Sequence, residues 1–259
     1  MTHRSCSTLP RADTLTRSID FGGRGPLVLL WHGAGCDLTC WEFLVPHLTG
    51  FHLVALDLPG HGRSPLPVFT TSDALADAEA VVAELGAGPP LVVGHSLGGY
   101  LALRYAATRK CAGWVGLDGP FAVVYPWEQD DPGDPESVLQ IGREIRAMDV
   151  ARDFAAMTCP GMLMLSSVAA SPIEEQMVPG RREIADYLAR HRSHVRMEWI
   201  RTGHDTMLLH ELEETAARIR GFWLSLLAQS NAELYTAPNG GPAMQLGNLG
   251  VTEGPPSVS

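Results

Sequence analysis

The sequence predicts an α/β protein with a mostly parallel sheet covered by helices on both faces. Three observations carry this. Short, fully apolar runs alternate with segments of helical spacing along most of the chain. Those runs end in glycine or turn residues, as buried strands do. One glycine-rich turn, Gly94-His95-Ser96-Leu97-Gly98, stands between such a run and such a segment.

In order along the chain, PLVLLWHG (26–33) reads as a buried strand stopped by glycine. LTCWEFLVPHL (38–48) has helical spacing at Leu38, Trp41, Leu44, Val45 and Leu48, with Pro46 near its end. FHLVALDLPG (51–60) is a strand followed by a turn. SDALADAEAVVAEL (72–85) is an alanine-rich helix with Ser72 as the expected N-cap. PLVVGHS (90–96) is a strand, LGGYLALRYAATR (97–109) a helix and AGWVGLDG (112–119) a strand. Further on, GMLMLSSV (161–168) is a strand, REIADYLARHR (182–192) a helix and HVRMEWI (194–200) a strand. The last helix falls within 204–228.

Segment 119–158 breaks the alternation. It begins Pro-rich and acidic, then turns helical from Ser137 to Met157. It reads as a small cap inserted over the strand ends, where α/β folds place their sites. Residues 1–12 are polar and are expected to be flexible. Residues 13–228 form one domain, and 229–259, dominated by Gly, Pro, Asn and Ser, read as a disordered tail.

Composition limits the function. The chain has 259 residues, 45% hydrophobic and 19% charged, with mean hydropathy +0.02. No apolar run reaches the roughly 20 residues of a membrane span, so no membrane partner is expected. The first residues lack the apolar core of a secretory signal, which predicts a cytoplasmic protein. A net charge of −10 argues against a nucleic-acid surface. Among 19 basic residues only Lys110 is a lysine, which matches the coding bias of a GC-rich bacterial genome. Five cysteines, Cys6, Cys36, Cys40, Cys111 and Cys159, show no zinc-site spacing and are expected to be reduced thiols. No metal and no cofactor are expected.

The chemistry centres on Ser96. G-x-S-x-G between a strand and a helix is the pattern of a nucleophile elbow. There a strained turn lifts the serine Oγ clear of the sheet, and the helix N-terminus favours developing negative charge. His32-Gly33-Ala34-Gly35 follows the first strong strand. Such a turn can aim one N–H at an oxyanion, alongside the N–H of the residue after the nucleophile, which assigns the donors to Ala34 and Leu97. Of ten histidines, His204 follows the final strand and a glycine, the chain position expected of the general base. His95 reads as structural or pocket-lining, and His61 as part of a turn.

With these residues in place, the chain resembles the α/β-hydrolase superfamily, in its haloperoxidase-like esterase and lactonase branch. The resemblance rests on HGAG (32–35), DLPGHGRS (57–64), GHSLGG (94–99) and Gly203-His204, and covers 13–228. It implies a serine hydrolase. The epoxide hydrolase and haloalkane dehalogenase branches carry Asp at the nucleophile, where this chain has Ser96.

One departure concerns the triad acid. In most relatives it follows the strand matching GMLMLSS, but here that stretch continues Ser166-Ser167-Val168-Ala169-Ala170-Ser171. The first carboxylates after it are Glu174 and Glu175. Asp118 ends the preceding strand, where a minority of the superfamily carries the acid. The candidates are therefore Asp118, Glu174 or Glu175, or no acid at all. Asp57 fits the structural turn of the DLPGHG motif, and Asp205 is expected to point away from His204.

The expected substrate is a neutral, fairly apolar small-molecule ester or lactone. Trp31, His95, Phe121, Tyr125 and Trp127 are candidate pocket-lining residues; the five acids from Glu128 to Glu136 read as a solvated loop, which would disfavour anionic substrates if it faces the entrance. Two other readings share the fold: a natural-product tailoring enzyme using His and Asp for elimination, C–C cleavage or cyclisation, and a non-catalytic ligand binder. A monomer or homodimer is expected.

Overall fold

A computed structural model describes residues 5–10, 15–123, 135–191 and 194–236. Among these described residues, eight strands form one sheet: β1 (Ser5–Pro10), β2 (Leu15–Gly22), β3 (Leu27–Trp31), β4 (His52–Leu56), β5 (Leu91–His95), β6 (Gly113–Leu117), β7 (Gly161–Ser166) and β8 (Val195–Ile200). Their spatial order is β1-β2-β4-β3-β5-β6-β7-β8. The β1–β2 and β2–β4 pairs are antiparallel, and every pair from β4 through β8 is parallel. The α-helices of the described residues are α1 (Thr71–Glu84), α2 (Leu97–Thr108), α3 (Glu136–Arg146), α4 (Val150–Ala156), α5 (Pro172–His191) and α6 (Leu212–Thr236).

Each central strand is buried on both faces, which explains its unbroken apolar sequence. The side chains still alternate. Leu27, Leu29 and Trp31 of β3 face one core with α1, α2, α4 and α5. Val28 and Leu30 face the other, with Leu38, Trp41, Ile219, Phe222 and Leu226. The order reverses at β3, since β4 lies on one side of it and β5 on the other. The crevice at the C-terminal ends of β3 and β5 is thus a topological switch point, and both predicted loops, 32–35 and 94–99, open there.

Several elements differ from expectation. Segment 38–48 is not one α-helix but two 3-10 turns, Leu38–Glu42 and Val45–His47. Pro46 has no N–H to donate and disfavours an α conformation at Val45. The cap of α1 is Thr70 rather than Ser72: Thr70 Oγ1 accepts the Asp73 N–H at 3.1 Å. α5 starts ten residues earlier than its apolar spacing suggested. Pro172 sits in its first turn, where no N–H is needed, and Ser171 Oγ accepts the Glu174 N–H at 3.2 Å. α6 opens at Leu212 and runs to Thr236, into the stretch expected to be a disordered tail. Residues 237–259 lie outside the described residues. At the other end, Ser5–Pro10, expected to be flexible, pairs along β2. An edge strand pairs through its backbone and needs no apolar alternation to do so. Among the described residues no helix is long and apolar enough to cross a membrane.

Candidate active site

Ser96 joins β5 to α2 with φ 52° and ψ −118°. That conformation is strained for a residue with a side chain. Close backbone approach makes it possible. A Cβ on Gly94 would lie 1.9 Å from the Gly98 carbonyl oxygen, and one on Gly98 would lie 2.2 Å from that of Trp31. Glycine at 94 and 98 is therefore a steric requirement. Ser96 itself is half-exposed while its neighbours on β5 and α2 are buried.

Three side chains from three strand ends meet in a line. Ser96 Oγ lies 2.9 Å from His204 Nε2, and His204 Nδ1 lies 2.7 Å from Asp118 Oδ2. An ionised carboxylate only accepts, so Nδ1 carries the proton and donates to Asp118. Nε2 is then bare, and the Ser96 hydroxyl donates to it. Of the acid candidates, Asp118 is the one placed on His204. It is fully buried with φ 46°, a left-handed conformation that aspartate tolerates better than most residues.

Asp118 has other donors. The Ser166 amide donates to Oδ1 at 2.9 Å. Arg181 Nε donates to Oδ1 at 3.0 Å and its Nη2 to Oδ2 at 2.5 Å. Burial pushes the carboxyl pKa up, but the His204 hydrogen bond and the Arg181 charge together outweigh it. They hold Asp118 well below the usual carboxylate range, so it is ionised throughout the neutral region.

Arg181 escaped the sequence reading. It shares the buried face of α5 with Met177, Ile184 and Leu188. The available signal was a lone arginine at an apolar position of a helical stripe, which demands a buried anion.

Glu174 is also buried, but it serves the loops. Its Oε2 accepts the Ala170 N–H at 2.6 Å and its Oε1 accepts the Asp205 N–H at 3.2 Å. It thus ties the turn after β7 to the turn that carries His204. Glu175 and Asp205 are exposed. Asp57 accepts the Leu38 and Arg63 amides, each at 2.9 Å, a structural role as the motif suggested.

His95 Nε2 donates to the His204 carbonyl at 2.9 Å, and its ring lies 5.0 Å from that of His204. Burial lowers its pKa to about 4, so it is neutral. It supports the histidine loop from below. His32 is neutral for the same reason, also lowered to about 4. Its Nδ1 donates to the Gly33 carbonyl at 2.8 Å and its Nε2 accepts the Leu58 N–H at 3.0 Å. This fixes the start of the 32–35 turn. A Cβ on Gly33 would lie 3.1 Å from Ser96 Cβ, so that turn runs directly beside the serine. Ala34 is exposed in it, and Leu97 opens α2.

The pocket candidates divide. Phe121 is buried edge-on to His204, ring centroids 5.9 Å apart. Trp31 is not at the site: it is fully buried in the core, edge-on to Tyr105, because its strand position points it below the sheet end. Tyr125 and Trp127 lie outside the described residues. Among the described residues no cluster of His, Cys, Asp or Glu could hold a metal ion.

The family model of the alpha/beta hydrolase family matches residues 28–246. The chain belongs to that family. Curated relatives include Lipase LipV of Mycobacterium tuberculosis, 43% identical over 107 residues, which are 40% of this chain and 41% of that protein. A pimeloyl-[acyl-carrier protein] methyl ester esterase of Methylococcus capsulatus is 42% identical over 98 residues, 38% of this chain and 37% of that one. The chain thus spans about two-fifths of the length of these relatives. A haloalkane dehalogenase variant from Bradyrhizobium elkanii superposes over 89% of this chain and 98% of its own, with TM-score 0.67 and 18% identity. A putative aryl esterase from Burkholderia cenocepacia covers 87% of this chain and 100% of its own, with TM-score 0.63 and 20% identity. These last two likenesses are likenesses of fold.

Proposed function

We propose that this α/β hydrolase is a serine esterase that cleaves neutral, fairly apolar small-molecule esters or lactones through an acyl-enzyme. The observation that carries the reading is the line from Ser96 Oγ through His204 to Asp118, at 2.9 and 2.7 Å, on a strained strand-to-helix turn. His204 Nε2 takes the Ser96 proton as Oγ attacks the carbonyl carbon. Asp118 stabilises the imidazolium that forms. The amides of Ala34 and Leu97 receive the oxyanion, on the tetrahedral intermediate and again during deacylation. His204 then protonates the leaving alkoxide and next activates the water that releases the acid. Phe121 beside His204 favours an apolar substrate. No step calls for a cofactor.

A panel of p-nitrophenyl esters and aliphatic lactones tests the substrate class, and a fluorophosphonate probe tests the nucleophile. Ser96→Ala is expected to lose label and to lower kcat by roughly 10⁴–10⁶. Full ester turnover in that variant would sink the covalent mechanism. An unlabelled serine beside a His204-dependent reaction would move the assignment to elimination or C–C cleavage.

A further inference from the structure

At the end of the sheet away from Ser96, two cysteines face each other. Cys111 leads into β6 and Cys159 into β7. These strands pair in parallel with Trp114 opposite Gly161. The cysteines are 48 residues apart, one off that register. Adjacent strands lie about 4.8 Å apart, inside the roughly 4.4–6.8 Å Cα separation that a disulfide spans. The side chains converge as well. The two Sγ atoms are 3.0 Å apart, against about 2.05 Å in a formed bond. Both residues sit at the margin of the core and are partly exposed, so a small oxidant can reach them.

We propose that Cys111 and Cys159 are a redox-controlled pair whose disulfide closes the segment carrying Asp118 and the cap helices into a covalent ring. The hydrogen bond between the thiols makes their roles unequal. It holds the Cys159 thiol below its ordinary range and, together with burial, pushes Cys111 up. Cys159 is therefore the attacking thiolate. It attacks one sulfur of a small disulfide such as oxidised glutathione and expels one glutathione thiolate, which takes up a proton. Cys111 then loses its proton to solvent and attacks Cys159 Sγ in the mixed disulfide, and the second glutathione leaves. Two protein thiols are oxidised by two electrons, and one glutathione disulfide is reduced to two thiols.

The ring encloses β6, Asp118, α3 and α4. Its closure lies at the foot of strands whose other ends carry the site, so it acts on stability and leaves the serine chemistry alone. A loop of this length raises the melting temperature by about 5–10 °C in a domain of this size.

The test uses the full chain with Cys6, Cys36 and Cys40 changed to Ser, equilibrated in glutathione buffers from fully reduced to fully oxidised. Non-reducing peptide mapping is expected to find Cys111 linked to Cys159, with Tm rising by about 5–10 °C on oxidation. Both effects are expected to vanish in Cys159→Ser, and in Cys111→Ala should the first variant fold poorly. Thiols that remain fully alkylatable after oxidation would overturn the proposal. So would glutathione adducts with no internal link, or a link that lowers Tm. Ester turnover is not a readout here, so failure of this proposal leaves the esterase reading standing.

Discussion

The ends of β6 and β7 are neighbours that divide one task. The end of β6 carries a fully buried charge, Asp118. The end of β7, where the family resemblance led us to expect the acid, has no carboxylate before Glu174. It is not idle. Its Ser166 amide donates to Asp118, and α5, which follows it, brings Arg181 to both carboxylate oxygens. Glu174 then holds the turns at Ala170 and Asp205. A buried carboxylate is tolerable only when its lone pairs are met. An acid at the end of β6 therefore needs donors of its own, and β7 and α5 supply them. What the chemistry fixes is the carboxylate's place against His204 Nδ1, not the strand that delivers it.

The sharpest way to break that comparison is Asp118→Asn. An asparagine amide can donate to Nδ1 and select the wrong histidine tautomer. The expected loss in kcat is about 10⁴, close to that of removing the acid from a serine triad. Ester kinetics on folded protein, verified by circular dichroism, measure it. A variant that keeps more than a tenth of the wild-type rate would return the role to the β7 side.

Next in size is Arg181→Gln, which leaves Asp118 a buried charge short of its partner. Breaking such a pair typically costs about 3–5 kcal/mol. Urea unfolding at pH 7 is expected to show it. The sign with pH follows from the depressed carboxyl. Its contribution is complete above the unfolded pKa near 4 and is lost as pH falls through the lower folded value. The gap between wild type and variant should therefore narrow in strong acid.

Much of this was legible from residues alone, for identifiable reasons. The central strands are apolar on both faces, so composition marks them without reference to the fold. Ser96 and the 32–35 turn are local devices, in which glycine at 94 and 98 is demanded by backbone a few residues away. Asp118 was legible as a candidate among others because hydrogen-bond reach across 86 residues is a property of the assembled sheet. Arg181 was missed because its partner comes from another element and prolines masked the first half of α5. The 3-10 turns at 38–47 were misread as a helix because apolar spacing alone does not distinguish the two. Trp31 was placed wrongly because proximity in sequence to the 32–35 turn does not fix which face of the strand a side chain occupies.

A third strand end gives the comparison a neutral reference. His95, at the end of β5, is buried without charge, its pKa lowered to about 4 by burial. Its contribution to stability is full above the unfolded value near 6.5 and declines as pH falls from there to 4. Charging it across that window costs up to roughly 3 kcal/mol. His95→Gln keeps a donor for the His204 carbonyl and does not titrate. Its unfolding free energy is expected to fall less than wild type between pH 7 and 5. An identical slope in the two proteins would mean that His95 titrates normally when folded.

The smallest expected effect bears most directly on the division between β6 and β7. Glu174→Gln keeps the shape of the side chain and one acceptor oxygen but loses the charge. One of its two amide partners, Ala170 or Asp205, is then poorly met. Hydrogen bonds to a charged group are worth about 1.5–3 kcal/mol each, so a loss of roughly 1–2 kcal/mol follows, with part of the second bond retained. The His204 turn loosens, and kcat should fall less than about tenfold, since Asp118 still orients His204 and stabilises its charged form. Stability and rate should therefore move together and modestly. The opposite pattern, a loss of a thousandfold or more in kcat with stability unchanged, would make Glu174 the acid that His204 uses during turnover. Asp118 would then be the structural partner of Arg181, and the roles of the two strand ends would be exchanged.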